Sequence, residues 1–168
     1  MKDALLKVQV ALLALGTAFS WITLILDYRR FFASGGQVLK ISGCTVANPV
    51  ATPCFYGALA FLGALVWSIA ILRSTPEAIA NRQRGLRWLL AAGTVFAWGN
   101  FAYEAYRFLQ PQPAPSPFAC PAGEPTANPL LAPCFYGALI FLAALVVSTF
   151  ILRIHRRHRH GPRRTGQG

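Results

Sequence analysis

The chain has 168 residues, 55% of them hydrophobic and 12% charged, about half the charged fraction of an ordinary soluble domain, which is roughly 25%. Sixteen Lys and Arg against five Asp and Glu leave a formal charge of +11. Such a charge suits nucleic-acid binding only when basic residues cover a folded face. Here they lie outside four apolar runs, which excludes a nucleic-acid binder and predicts a small all-α protein that crosses a membrane several times.

The runs, in chain order, are 8–26, 55–72, 88–103 and 135–152. A helix that crosses the hydrocarbon core needs about 20 apolar residues, so the third run spans only with flanking residues that snorkel. None of the four carries the polar stripe of a soluble bundle helix. Twelve of the sixteen basic residues lie at the N-terminus, between the second and third runs, and in the tail. Positively charged flanks stay in the cytoplasm, which predicts both termini inside and the two longer connections outside. The expected setting is a bacterial or archaeal cytoplasmic membrane.

Comparing the chain with itself reveals a repeat. At a shift of 77, Leu12, Leu13, Ala14, Gly16, Thr17, Phe19, Trp21, Arg30 and Phe31 fall on identical residues, and Asp27 falls on Glu104. At a shift of 80, ANPVATPCFYGALAFL (47–62) falls on ANPLLAPCFYGALIFL (127–142), and matches continue to Arg73. The chain thus reads as two tandem helical hairpins, 1–73 and 87–153, joined by a cytoplasmic connection, 74–86, and followed by a basic disordered tail, 154–168. Two spans per unit give both halves the same orientation, so their pseudo-two-fold axis runs along the membrane normal. The match between the first and third runs argues that the first is a retained helix and not a cleaved signal peptide. Small residues four apart, Gly16 with Ser20 and Gly93 with Ala97, predict close helix packing.

All four cysteines fall in the outer connections or at the start of the spans that follow. An outer compartment favours disulfides, and of the three pairings possible the duplication favours Cys44 with Cys54 and Cys120 with Cys134. Pro53 and Pro133 stand where helices begin, placing Cys54 and Cys134 in a first turn, where helix N-termini also suit a reactive thiol. Asn48 and Asn128, each before Pro, read as turn residues or ligand contacts. Tyr56 and Tyr136 read as interfacial anchors. Asp27 with Arg30, and Glu104 with Arg107, are spaced for ion pairs on a helix. Together with Trp21 and Trp98, Asp27 and Glu104 form a candidate polar site between the halves. On the cytoplasmic side Thr75-Pro76-Glu77 reads as the start of a short interfacial helix. The tail, His155-Arg156-Arg157-His158-Arg159-His160, is too positive for a metal site and suits anionic lipid.

Four spans, two outer connections with two cysteines each, and a Cys opening a span resemble the disulfide bond formation protein B and vitamin K epoxide reductase families. Their Cys-x-x-Cys is replaced here by Ala51-Thr52-Pro53-Cys54 and Leu131-Ala132-Pro133-Cys134. The resemblance implies a thiol-disulfide oxidoreductase that passes electrons to quinone. It would put Cys54 and Cys134 on the quinone side, with Cys44 and Cys120 as loop partners. The residues themselves favour a non-catalytic accessory, assembly or small-ligand-binding protein without a cofactor. Its expected partners are the bilayer, anionic lipid at the tail, and another membrane protein or a second copy. A small transporter is disfavoured, because few polar residues lie inside the runs.

Overall fold

The computed structural model describes residues 2–33, 50, 52–109, 130 and 132–159; the side chains at 2, 76, 104, 107 and 156–159 lie outside that description, as do most of the connections 34–52 and 110–132 and the last nine residues. Four helices follow one another: α1 (Lys2–Ala33), α2 (Pro53–Leu72), α3 (Pro76–Leu109) and α4 (Pro133–Arg159). Three of them, α1, α2 and α4, are long and apolar enough to cross a membrane.

The helices overrun the apolar runs at their charged ends. With no Pro or Gly to stop it, α1 continues past Leu26 to Ala33, and α4 continues through 154–159, which the sequence assigned to a disordered tail. The largest difference is α3. Residues 76–87 are not a separate interfacial helix but the first three turns of a continuous 34-residue helix, about 51 Å at 1.5 Å per residue. Pro76 at its first turn costs no hydrogen bond, while Ala78 and Ile79 donate their backbone N–H to the Thr75 carbonyl. Arg82, Arg84 and Arg87 then continue as ordinary helix formers.

Around the bundle, α1 packs on α2, α2 on α3, α3 on α4, and α4 on α1. The diagonals meet at single points. Phe61 of α2 and Phe141 of α4 stack across one diagonal, with ring centroids 3.9 Å apart. Gln9 of α1 and Gln83 of α3 join across the other, where Gln83 Nε2 donates to Gln9 Oε1 at 2.7 Å. Equivalent positions are buried in α2 and α4: Ala58 and Ala138, Phe61 and Phe141, Ala64 and Ala144, Ser68 and Ser148, Ile71 and Ile151.

The paired glycines act as the sequence predicts. A Cβ on Gly16 would meet Phe61 at 2.5 Å, and one on Gly93 would meet Phe141 at 2.7 Å. Each glycine lets a helix close on the ring that forms the central stack. Between helices in lipid this contact rests on packing, since apolar surface gains nothing by leaving apolar solvent.

Candidate functional site

Thr52 is extended (φ −89°, ψ 147°), Pro53 opens α2, and Phe55 donates its N–H to the Thr52 carbonyl. Phe135 does the same to Ala132 at the start of α4. Both cysteines therefore sit in the first turn, as their prolines predict.

From there both line one slot between the hairpins at the Cys-bearing end of the bundle. Its volume is about 90 Å³, several times the 10–15 Å³ that one water needs. All four helices contribute, and all of the lining but Ala60 and Gly93 falls into pairs related by the sequence repeat: Phe19 and Phe96, Ser20 and Ala97, Thr23 and Asn100, Pro53 and Pro133, Cys54 and Cys134, Gly57 and Gly137, Ala58 and Ala138, Phe61 and Phe141. Its hydroxyls have spent their hydrogens on their own helices, and Asn100 has spent one of its two amide hydrogens. Ser20 Oγ donates to Thr17 O, Thr23 Oγ1 to Phe19 O, and Asn100 Nδ2 to Phe96 O. A bound molecule thus meets an apolar wall with acceptor oxygens, an amide N–H and a thiol.

The cysteines are not equivalent. Cys54 carries a free thiol, so the expected Cys44–Cys54 bridge is not formed; held in the first turn of α2, Cys54 lines the slot. Cys134 is disulfide-bonded, its partner outside the described residues. Cys44, Cys120, Asn48 and Asn128 also lie outside them, as do the side chains of Glu104 and Arg107.

The polar site expected from Trp21, Asp27, Trp98 and Glu104 is not assembled in the slot, whose lining includes none of the first three. Asp27 lies on the core stripe of α1, with Leu24 and Phe31, one turn beyond Thr23; it is only 6% exposed. Among the described residues its Oδ2 has no hydrogen-bond partner. The indole N–H groups of Trp21 and Trp98 are buried without acceptors. Trp98 stands edge-on to Phe101 and Phe135, at 5.9 and 6.0 Å. Tyr56 is exposed, as an anchor would be. Tyr136 also packs edge-on against Phe19, joining α4 to α1 at the slot.

Sequence reasoning missed a second polar group. At the arginine-bearing end, each helix puts one polar residue into the core: Gln9, Ser68, Gln83 and Ser148, none more than 1% exposed. Gln83 Nε2 reaches Ser148 Oγ at 3.0 Å as well as Gln9. Among the described residues Gln9 Nε2, Gln83 Oε1 and Ser68 Oγ have no hydrogen-bond partner.

Comparisons with protein-family models, curated proteins and solved structures return no match.

Proposed function

We propose that the chain is a non-catalytic membrane protein of two tandem hairpins that holds a small apolar or amphiphilic molecule in the slot between them. The observation that carries this reading is the slot's lining: all four helices contribute to it, eight repeat-related pairs make up most of it, and no charged side chain among the described residues lines it. Convergent apolar walls with a few polar atoms are the ordinary form of a ligand site. The volume admits a hydrocarbon chain or the leading edge of a flat ring, with the remainder in lipid. On this reading all four helices span, α3 with help from its flanks. The charge distribution sets both termini in the cytoplasm and the slot in the outer leaflet. The disulfide at Cys134 then staples the outer end of α4.

A second reading, quinone-linked thiol oxidation, is favoured by one observation: the free thiol of Cys54 and the disulfide-bonded Cys134 line the same slot. In that reaction two thiols become a disulfide, and two electrons and two protons reduce a quinone to its quinol.

Alkylation of Cys54 separates the readings. In micelles, a membrane-permeant maleimide should modify Cys54 more slowly when decanol or a short-chain quinone occupies the slot, with the thiol count unchanged. Protection by neither probe would contradict the binding reading. Loss of thiols with stoichiometric quinol formation would replace it with the redox one.

A further inference from the structure

At the opposite end of the bundle, the end of α2 and the start of α3 line an open groove of about 600 Å³. Its wall on α2 is Val66, Ile69 and Ala70, continued by Arg73 just past the helix end; its wall on α3 is Ala78 and Arg82, with Ser74 and Thr75 in the turn between. Apolar residues therefore form the side toward the middle of α2, and two guanidinium groups stand at its end.

The arginines are set up to receive an anion. Ser74 Oγ donates to Ala70 O at 2.6 Å and accepts from Arg82 Nη1 at 3.0 Å. This holds the Arg82 guanidinium over the groove and leaves its other N–H groups for a ligand. Among the described residues neither Arg73 nor Arg82 is paired with a carboxylate. Guanidinium is the side chain best matched to phosphate oxygens.

We propose that this groove binds one anionic phospholipid, its phosphate between Arg73 and Arg82 and the start of an acyl chain along Val66 and Ile69. Three features select that occupant. The groove straddles the end of the apolar span of α2, at Leu72, with both arginines beyond it, at the depth where a headgroup lies. Val66 is 60% exposed, facing outward from the core. A second copy of a chain carrying +11 would bring like charge to two unpaired arginines. The proposal rests on the reading that α2 crosses a bilayer. It differs from the expected attraction of lipid to the C-terminal tail, because it needs one fixed site and not a diffuse field.

The test is lipid retention by the full chain, extracted from bilayers of phosphatidylcholine with phosphatidylglycerol and weighed intact by native mass spectrometry. The wild type should retain one phosphatidylglycerol. R73Q/R82Q should weaken retention by roughly 25-fold, a factor of about 5 for each basic residue near the surface. The tail variant R156Q/R157Q/R159Q should retain lipid like the wild type. Both arginines in the first variant are exposed, so their replacement leaves the core intact. Equal retention in R73Q/R82Q, loss in the tail variant instead, or displacement of the lipid by millimolar inorganic phosphate would overturn the proposal while leaving the membrane reading in place. Failure of the wild type to enter bilayers would overturn both.

Discussion

Gln83 donates from one amide nitrogen to Gln9 Oε1 at 2.7 Å and to Ser148 Oγ at 3.0 Å, so a single side chain of α3 joins α1 and α4 through the centre of the bundle. Where no hydrophobic effect drives helices together, such bonds help decide which faces meet, and in membrane proteins each is worth about 0.6 kcal/mol on average and up to about 1.7. Gln83→Ala should therefore destabilise the bundle by about 1–3 kcal/mol in detergent-denaturation titrations, since it also strands Gln9 Oε1.

The two serines of this layer should behave differently, although the repeat makes them equivalent. Ser148 accepts a hydrogen bond, whereas Ser68 Oγ is buried without a partner. Ser148→Ala should cost about 0.6–1.7 kcal/mol, and Ser68→Ala should be neutral or stabilising, because it removes an unsatisfied polar group. The same titration checks both; equal losses would show that the layer is symmetric in solution.

Gly16 and Gly93 should resist substitution, because an added Cβ meets a phenyl ring of the central stack at 2.5 or 2.7 Å. The rings cannot retreat, being stacked on each other at 3.9 Å. Gly16→Ala and Gly93→Ala should each cost about 1–3 kcal/mol, as overpacking does. Gly57 and Gly137 have nothing within 4 Å of a built Cβ. Alanine there should be neutral or should stabilise by about 0.5–1 kcal/mol through helix propensity, read as the midpoint of detergent unfolding.

The state of the cysteines gives a further test. Cys54 is free and Cys134 disulfide-bonded. Peptide mapping of the unreduced folded protein after maleimide treatment should find label on Cys54 and none on Cys134 until a reductant is added. Label on both at the outset would show that the Cys-bearing end of α4 is not stapled.

Much of this arrangement was legible in the residues. Pro53 and Pro133 marked two helix starts to the residue, because a ring that fixes φ and lacks an N–H belongs at the first turn. Gly16 and Gly93 marked where helices close, because only a missing side chain admits Phe61 and Phe141. The extent of α3 was hidden, since arginines in residues 82–87 read as the surface of a connection although they extend a helix as well as they decorate a loop. The polar layer was hidden by the repeat itself. At a shift of 77, Gln9 falls on Leu86 and Gln83 on Leu6, so self-comparison passes over both glutamines. The signal that finds them is an uncharged amide inside an apolar stripe of three-and-four spacing, with Ser68 and Ser148 retained at equivalent positions. Charge near the end of a span suggested Asp27 for a site between the halves; its side chain is buried on the core stripe of α1, one turn beyond Thr23, and is not among the residues that line the slot.

The most direct test of ligand binding between the hairpins is photocrosslinking in micelles with a long-chain alcohol that carries a diazirine at its chain end. Cross-links should concentrate in residues 53–61 and 133–141 and disappear when Gly57→Phe and Gly137→Phe fill the slot. Cross-links confined to outward-facing residues such as Val66, Val95 and Phe150, or unchanged in the filled variant, would contradict it.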